Sequence, residues 1–211
     1  MHVYAFGSVC RGDIEPNSDI DLLAITDGYD SRFNTDNYSV YSYKRIRELW
    51  GEGNPFAWHL ALESRLLFSS DQNDFLKALG NPQPYANCLR DCEKFYALFL
   101  EARTSISRNP NSKVFDLSTM FLSIRNIASC FSLGVIKQPD FSRNVARKLD
   151  GFRIGVSLST YQTLERARIL CTRGHGSSIT PSEIEGVALE LDDIESWMET
   201  LVKGVKAHER I

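Results

Sequence analysis

The chain has 211 residues, 24 of them Lys or Arg and 27 Asp or Glu, for a formal net charge of −3. That length suits one substantial domain or two small ones. The mild acidity argues against nucleic acid as a partner, because phosphate contacts demand a basic surface. No apolar run in the sequence reads as long enough to span a bilayer, so no membrane partner is expected. Met1–Phe6 has no basic segment and no long apolar stretch, so it reads as a strand and not as a signal peptide. The cysteines Cys10, Cys88, Cys92, Cys130 and Cys171 are odd in number and form no Cys-x-x-Cys. They read as small buried hydrophobes in a reducing cytoplasm. His2, His59, His175 and His208 form no ligand pair at close spacing, so zinc is not expected.

The first 80 residues read as mixed α/β. Val3 to Phe6 is an apolar strand that runs into Gly7-Ser8, and Ser8 to Gly12 is one or two helical turns with Gly12 as C-cap. Glu15-Pro16-Asn17-Ser18 is a turn, and residues 19–26 are a strand apolar enough to be central. Tyr38 to Tyr43, β-branched and aromatic, reads as a third strand. Lys44 to Trp50 and Phe56 to Glu63 read as helices, and Leu66 to Phe68 as a short edge strand. Gly80-Asn81-Pro82-Gln83-Pro84 is the clearest breakpoint, with two prolines and a glycine in five residues.

Beyond the breakpoint the apolar period changes to three and four. Leu89, Cys92, Tyr96, Phe99 and Leu100 follow it, as do Phe115, Met120, Phe121, Ile124, Ile127, Ala128 and Phe131. Further helices are expected over Ser142 to Leu149, Leu158 to Cys171 and Pro181 to Val205. Thr180, Pro181 and Glu183 form a helix start, as N-cap, N1 and N3. The expected organisation is α+β: a small mixed-sheet domain over residues 1–80 and an all-α helical bundle over 85–208.

The chemistry concentrates near the start. In a strand, Asp19 and Asp21 project to the same face, about 6.5–7 Å apart along the backbone. Two carboxylates so close repel unless a cation joins them, and hard oxygen ligands of this kind suit Mg²⁺ completed by substrate phosphates. The Gly7-Ser8 turn upstream offers backbone amides and a hydroxyl to phosphate. A lone aspartate ahead of a strand is ordinarily a cap or turn residue. The pair, the apolar strand behind it and the Gly-Ser turn together favour metal binding. Arg11 reads equally as a phosphate contact or as surface cover, and Gly12 as structural.

Phe6-Gly7-Ser8-Val9-Cys10-Arg11-Gly12, six further residues and then Asp19-Ile20-Asp21-Leu22-Leu23 resemble the signature of the DNA polymerase β-type nucleotidyltransferase superfamily. Asn54 to Leu60, continuing to Phe68, is also similar to small bacterial members of that group. The resemblance implies Mg²⁺-dependent transfer of a nucleoside monophosphate, AMP from ATP, to a small-molecule or protein acceptor, with release of pyrophosphate. It implies Asp19 and Asp21 as catalytic metal ligands, Gly7 and Ser8 at the β- and γ-phosphates, Arg11 as a nucleotide contact, and Ser18 as a residue that caps or orients Asp19.

The family pattern adds a third acid on a later strand. Residues 37–43 contain none, leaving Asp36 as the nearest candidate, Glu63 as a second, and no third acid as the remaining possibility. The chain also begins at the first strand, without the helix that often precedes it in the family.

Two precedents bear on the helical half. Aminoglycoside-modifying members hold the acceptor with a C-terminal bundle. Other members associate with HEPN bundles in toxin–antitoxin systems, so a toxin partner or a homo-oligomer is possible. HEPN ribonucleases carry an Arg followed by four to six residues and then a His. Arg125-Asn126 begins similarly, but residues 127–133 contain no His, so ribonuclease activity is not expected. A catalytically degenerate nucleotide-binding regulator, or an antitoxin-type interaction protein, is the alternative reading. His59 reads as a satisfied buried histidine.

Overall fold

The computed structural model describes residues 1–13, 20–109 and 111–209. It divides into two compact units, Met1–Ala86 and Asn87–Ile211. The expected turn at Glu15–Ser18 and the candidate residues Ser18 and Asp19 lie outside the described residues.

The first unit is built on a four-stranded sheet in the order β3-β2-β1-β4. Its strands are β1 (His2–Phe6), β2 (Asp21–Thr26), β3 (Ser39–Ser42) and β4 (Ser64–Ser69). β1 runs antiparallel to both β2 and β4, whereas β2 and β3 are parallel, so the sheet is mixed. β2 lies between β1 and β3, as its apolar run predicts. Leu23, Ala24 and Ile25 lose all exposure there, and a leucine or isoleucine so buried contributes about 1.5–3 kcal/mol. β4 is longer than the expected Leu66–Phe68 and lies at an edge, pairing with β1 alone.

Alternation on the strands sets up the core. Tyr4 and Phe6 of β1 share a face with Leu23 and Ile25 of β2 and pack with Ile46, Leu49, Trp50, Ala57, Leu60 and Leu76. Those partners come from three helices, α2 (Tyr43–Gly51), α3 (Pro55–Glu63) and α4 (Phe75–Ala78). The Ser42 side chain caps α2 and the Asn54 side chain caps α3. The short α4 was not foreseen. It is anchored by Tyr4, whose hydroxyl donates to Asp74 (3.0 Å) and accepts from the Leu76 amide (3.0 Å).

The Gly80–Pro84 breakpoint is fastened within this unit. The Trp50 indole donates to the Gly80 carbonyl (2.9 Å), the Gln83 amide to the Trp50 carbonyl (2.9 Å), and the Trp58 indole to the Gln83 carbonyl (3.1 Å).

All regular elements described in the second unit are helical. α5 (Cys88–Arg108) and α6 (Lys113–Phe131) are followed by a π-helical turn at Ser132–Ile136, α7 (Val145–Lys148), α8 (Leu158–Arg173), α9 (Pro181–Leu189) and α10 (Leu191–His208). α6 is the central core helix, burying Met120, Phe121, Ile124, Ile127, Ala128 and Phe131. Phe115, read as part of the same stripe, is instead 62% exposed.

Three other expectations need correction. Ser142–Leu149 is helical only over Val145–Lys148. Pro181–Val205 is two helices that part at Glu190, whose carboxylate accepts from the Ser157 amide (2.7 Å), the Ser157 hydroxyl (2.6 Å) and the Thr160 hydroxyl (2.7 Å). Lys113–Ile136, with the π-helical turn included, is a 24-residue stretch long and apolar enough to cross a membrane, contrary to the sequence reading. Two-thirds of its most apolar window is buried among the other helices, which is how a core helix passes the same test.

All five cysteines are free. Cys88, Cys92 and Cys130 are buried, Cys10 is half-buried and Cys171 is exposed. Cys92 hydrogen-bonds with the other two buried thiols, and those bonds together with burial push its own thiol well above the usual range. Thr180 forms a full capping box with Glu183 at the start of α9.

Candidate active site

β1 ends at Phe6 directly opposite Asp21, the first residue of β2. The chain then turns at Gly7 into α1 (Ser8–Arg11), a single turn closed by Gly12 in the left-handed conformation. Gly7 has φ 79° and ψ −143°, a backbone region open almost only to glycine. A Cβ there would lie 2.6 Å from Oδ2 of Asp21. The glycine is therefore required twice, by its own dihedrals and by the carboxylate beside it. Asp21 sits at the exposed end of β2, where its carboxylate meets the Gly-Ser turn.

A network not foreseen in the sequence holds this turn. The Gly7 amide donates to the Glu63 carbonyl (3.2 Å), and the Gly7 carbonyl accepts from Cys10 (3.0 Å) and Arg11 (3.3 Å). Nη1 of Arg11 binds Oε2 of Glu63, and Nε of Arg11 donates to Asp13 (2.9 Å). Oε2 of Glu63 also lies 2.9 Å from Nε2 of His59, one turn back on α3. His59 packs edge-on against the ring of Phe6, with centroids 5.6 Å apart. Burial alone would pull the Arg11 pKa down, but its hydrogen bonds and charge pairing with Asp13 and Glu63 more than offset this and raise it. Burial raises the Cys10 thiol, against the opposing pull of Arg65. One signal of the network was legible, the i,i+4 spacing of His59 and Glu63 on a predicted helix.

The two third-acid candidates sit on different elements. Asp36 is exposed in the turn ahead of β3, where Oδ2 accepts from the Asn34 side chain (2.9 Å) and its amide donates to Oδ1 of Asn34 (3.0 Å). The parallel pairing of β2 with β3 begins at Leu23 and Ser39, so neither Asp36 nor Asn37 is part of it. Glu63 is engaged by Arg11 and His59.

Asp21 supplies the hard oxygen that Mg²⁺ prefers, and its carboxylate lies in the space that a Cβ on Gly7 would need. A metal ion held by one or two carboxylates and completed by substrate phosphates fits this donor chemistry. Among the described residues, no three His, Cys, Asp or Glu side chains form a metal-holding group by themselves.

Residues 2–79 match the family model described as a nucleotidyltransferase domain. The first unit is a nucleotidyltransferase domain of the polymerase β-type superfamily. The match covers a little over a third of the chain, stopping before α5, and supports nucleotidyl transfer as the general activity. No curated protein matches the chain.

Proposed function

We propose that this protein is a Mg²⁺-dependent nucleotidyltransferase that moves AMP from ATP onto a small-molecule or protein acceptor and releases pyrophosphate. The observation that carries the reading is the apposition of Gly7 and Asp21 within a domain that matches the nucleotidyltransferase family.

In this reading the acceptor oxygen attacks the α-phosphorus, the bond to the bridging oxygen breaks, and pyrophosphate leaves. Asp19 and Asp21 hold Mg²⁺. The ion, when bound, neutralises charge on the oxygens of the transferring phosphoryl group. Gly7 lets the triphosphate come close to the backbone, and Ser8 donates its hydroxyl to the β- and γ-phosphates. Ser18 orients Asp19, and Arg11 belongs to the same nucleotide-binding turn. Asp36 takes the proton released by the acceptor. AMP as the transferred group rests on the family resemblance alone.

A second reading has its own observation. Ser39–Ser42 carries no carboxylate, which favours a regulator that binds nucleotide without transferring it. Pyrophosphate release from ATP and Mg²⁺, assayed over a panel of hydroxyl-bearing small molecules and purified proteins, separates the two. Acceptor-dependent release supports the enzyme. Nucleotide binding without release under any of these conditions supports the regulator.

A further inference from the structure

We infer that Glu63 is a positioning residue for the nucleotide-binding turn, acting through Arg11 and His59, and not the acid that activates the acceptor. This inference rests on the nucleotidyl-transfer reading above.

Glu63 grips α1 at both ends. Its carbonyl takes the amide of Gly7, just ahead of the helix, and its carboxylate takes the guanidinium of Arg11, the last helical residue. His59 reaches the same carboxylate oxygen and braces Phe6, the residue before Gly7. The final turn of α3 thus contacts residues 6, 7 and 11, while Gly7 abuts Asp21. A general base needs a lone pair open to the proton it removes. Oε2 of Glu63 is taken by the Arg11 guanidinium, with Nε2 of His59 2.9 Å away, and the Glu63 side chain is only 12% exposed. What the arrangement can do is hold the Gly7-Ser8 turn in the shape that receives the triphosphate, so that its loss weakens nucleotide binding.

The same geometry assigns Arg11. Its guanidinium is committed to Glu63 and Asp13, so it serves the nucleotide by holding α1 and not by touching phosphate.

The test is calorimetric titration of Mg²⁺-ATP into the parent protein, Glu63→Gln, Arg11→Gln and the double variant, with melting of each ligand-free protein alongside. Glu63→Gln keeps the carbonyl that Gly7 needs and loses only the charge. Each single variant should bind about tenfold more weakly, and the double variant no more weakly than the worse single, because the two residues act as one unit. With a competent acceptor, Glu63→Gln should raise KM for nucleotide and leave kcat close to that of the parent.

Three results overturn the inference. One is Glu63→Gln binding Mg²⁺-ATP as the parent does. Another is additive losses, or a loss confined to Arg11→Gln, which would make Arg11 a direct phosphate contact. The third is a collapse of kcat at unchanged nucleotide affinity, which would make Glu63 the base. If Glu63→Gln does not fold, His59→Gln, which removes the ring that lies beside Oε2 and against Phe6, must show the same weakened binding, and parent-like binding there is equally contrary. A parent protein that fails to bind Mg²⁺-ATP overturns the nucleotidyl-transfer reading itself, and this inference with it.

Discussion

A Cβ on Gly7 would stand 2.6 Å from Oδ2 of Asp21, closer than real Cβ contacts come. Gly7→Ala must therefore push the turn and the carboxylate apart, in addition to a backbone strain of about 1–3 kcal/mol. The expected outcome is a lower melting temperature and loss of stabilisation by Mg²⁺-ATP. Gly12→Ala is the control. Gly12 also has positive φ, 81°, but among the described residues no atom beyond its chain neighbours lies within 4 Å of its Cβ position. That variant should lose about 1 kcal/mol of stability and still bind nucleotide. Thermal scans of both proteins with and without Mg²⁺-ATP distinguish the two effects.

Gly53 makes a similar demand on the Gly80–Pro84 segment. It has φ 61°, and a Cβ there would lie 2.4 Å from the carbonyl oxygens of both Gln83 and Pro84. Backbone atoms cannot step aside as a flexible side chain can. Gly53→Ala should therefore destabilise the first unit by about 2 kcal/mol or more. Gly51→Ala, two residues earlier with open space around it, should be neutral or slightly stabilising. Urea unfolding followed by tryptophan fluorescence reads both, because Trp50 and Trp58 hydrogen-bond to this segment.

The start of α9 predicts an acid-dependent loss of stability. Hydrogen bonds from Arg166 first, and then from the amide and hydroxyl of Thr180, lower the Glu183 pKa from 4.5 to about 2. A depressed carboxylate pKa stabilises the fold above its unfolded value and ceases to do so as pH falls through the folded one. The parent should therefore be more stable than Glu183→Gln at pH 7, with the gap closing between about pH 5 and pH 2. Thr180→Ala removes the cap itself and should cost about 1 kcal/mol at neutral pH. Denaturation midpoints of the three proteins across this pH range check both statements.

What the sequence revealed and what it hid follow from the range of the interactions. β2 announces itself through its continuous apolar run. Gly12 and the Thr180-Pro181-Ser182-Glu183 start are equally local, since each depends on neighbours within four residues. The pairing of Arg11 with Glu63 spans 52 residues, and nothing near either residue signals it. The break between α9 and α10 depends on Ser157 and Thr160, about thirty residues away, which draw the Glu190 carboxylate out of a stretch whose apolar period continues through it. Periodicity also placed Phe115 in the core of α6, but at the third position of the helix it lies beyond the packed stripe and faces outward. At the site, the Gly-Ser turn and the aspartate pair could be read as motifs, whereas the apposition of Gly7 to Asp21 and the grip of Glu63 on Arg11 appear only once β1, β2 and α3 are placed together.

The central claim is that Asp21 holds the metal–nucleotide complex. Asp21→Asn removes the anionic oxygen while keeping size and shape, at a position exposed at the strand end and outside the packed core. A ligand that binds only the folded state at a hundred times its Kd stabilises by about 2.7 kcal/mol. The deciding measurement is the melting temperature of parent and Asp21→Asn with ATP, with Mg²⁺, and with both. The account predicts that the parent gains more from the pair than from either component alone, and that Asp21→Asn melts like the ligand-free parent but loses that excess. An Asp21→Asn protein stabilised by Mg²⁺-ATP as fully as the parent would contradict it.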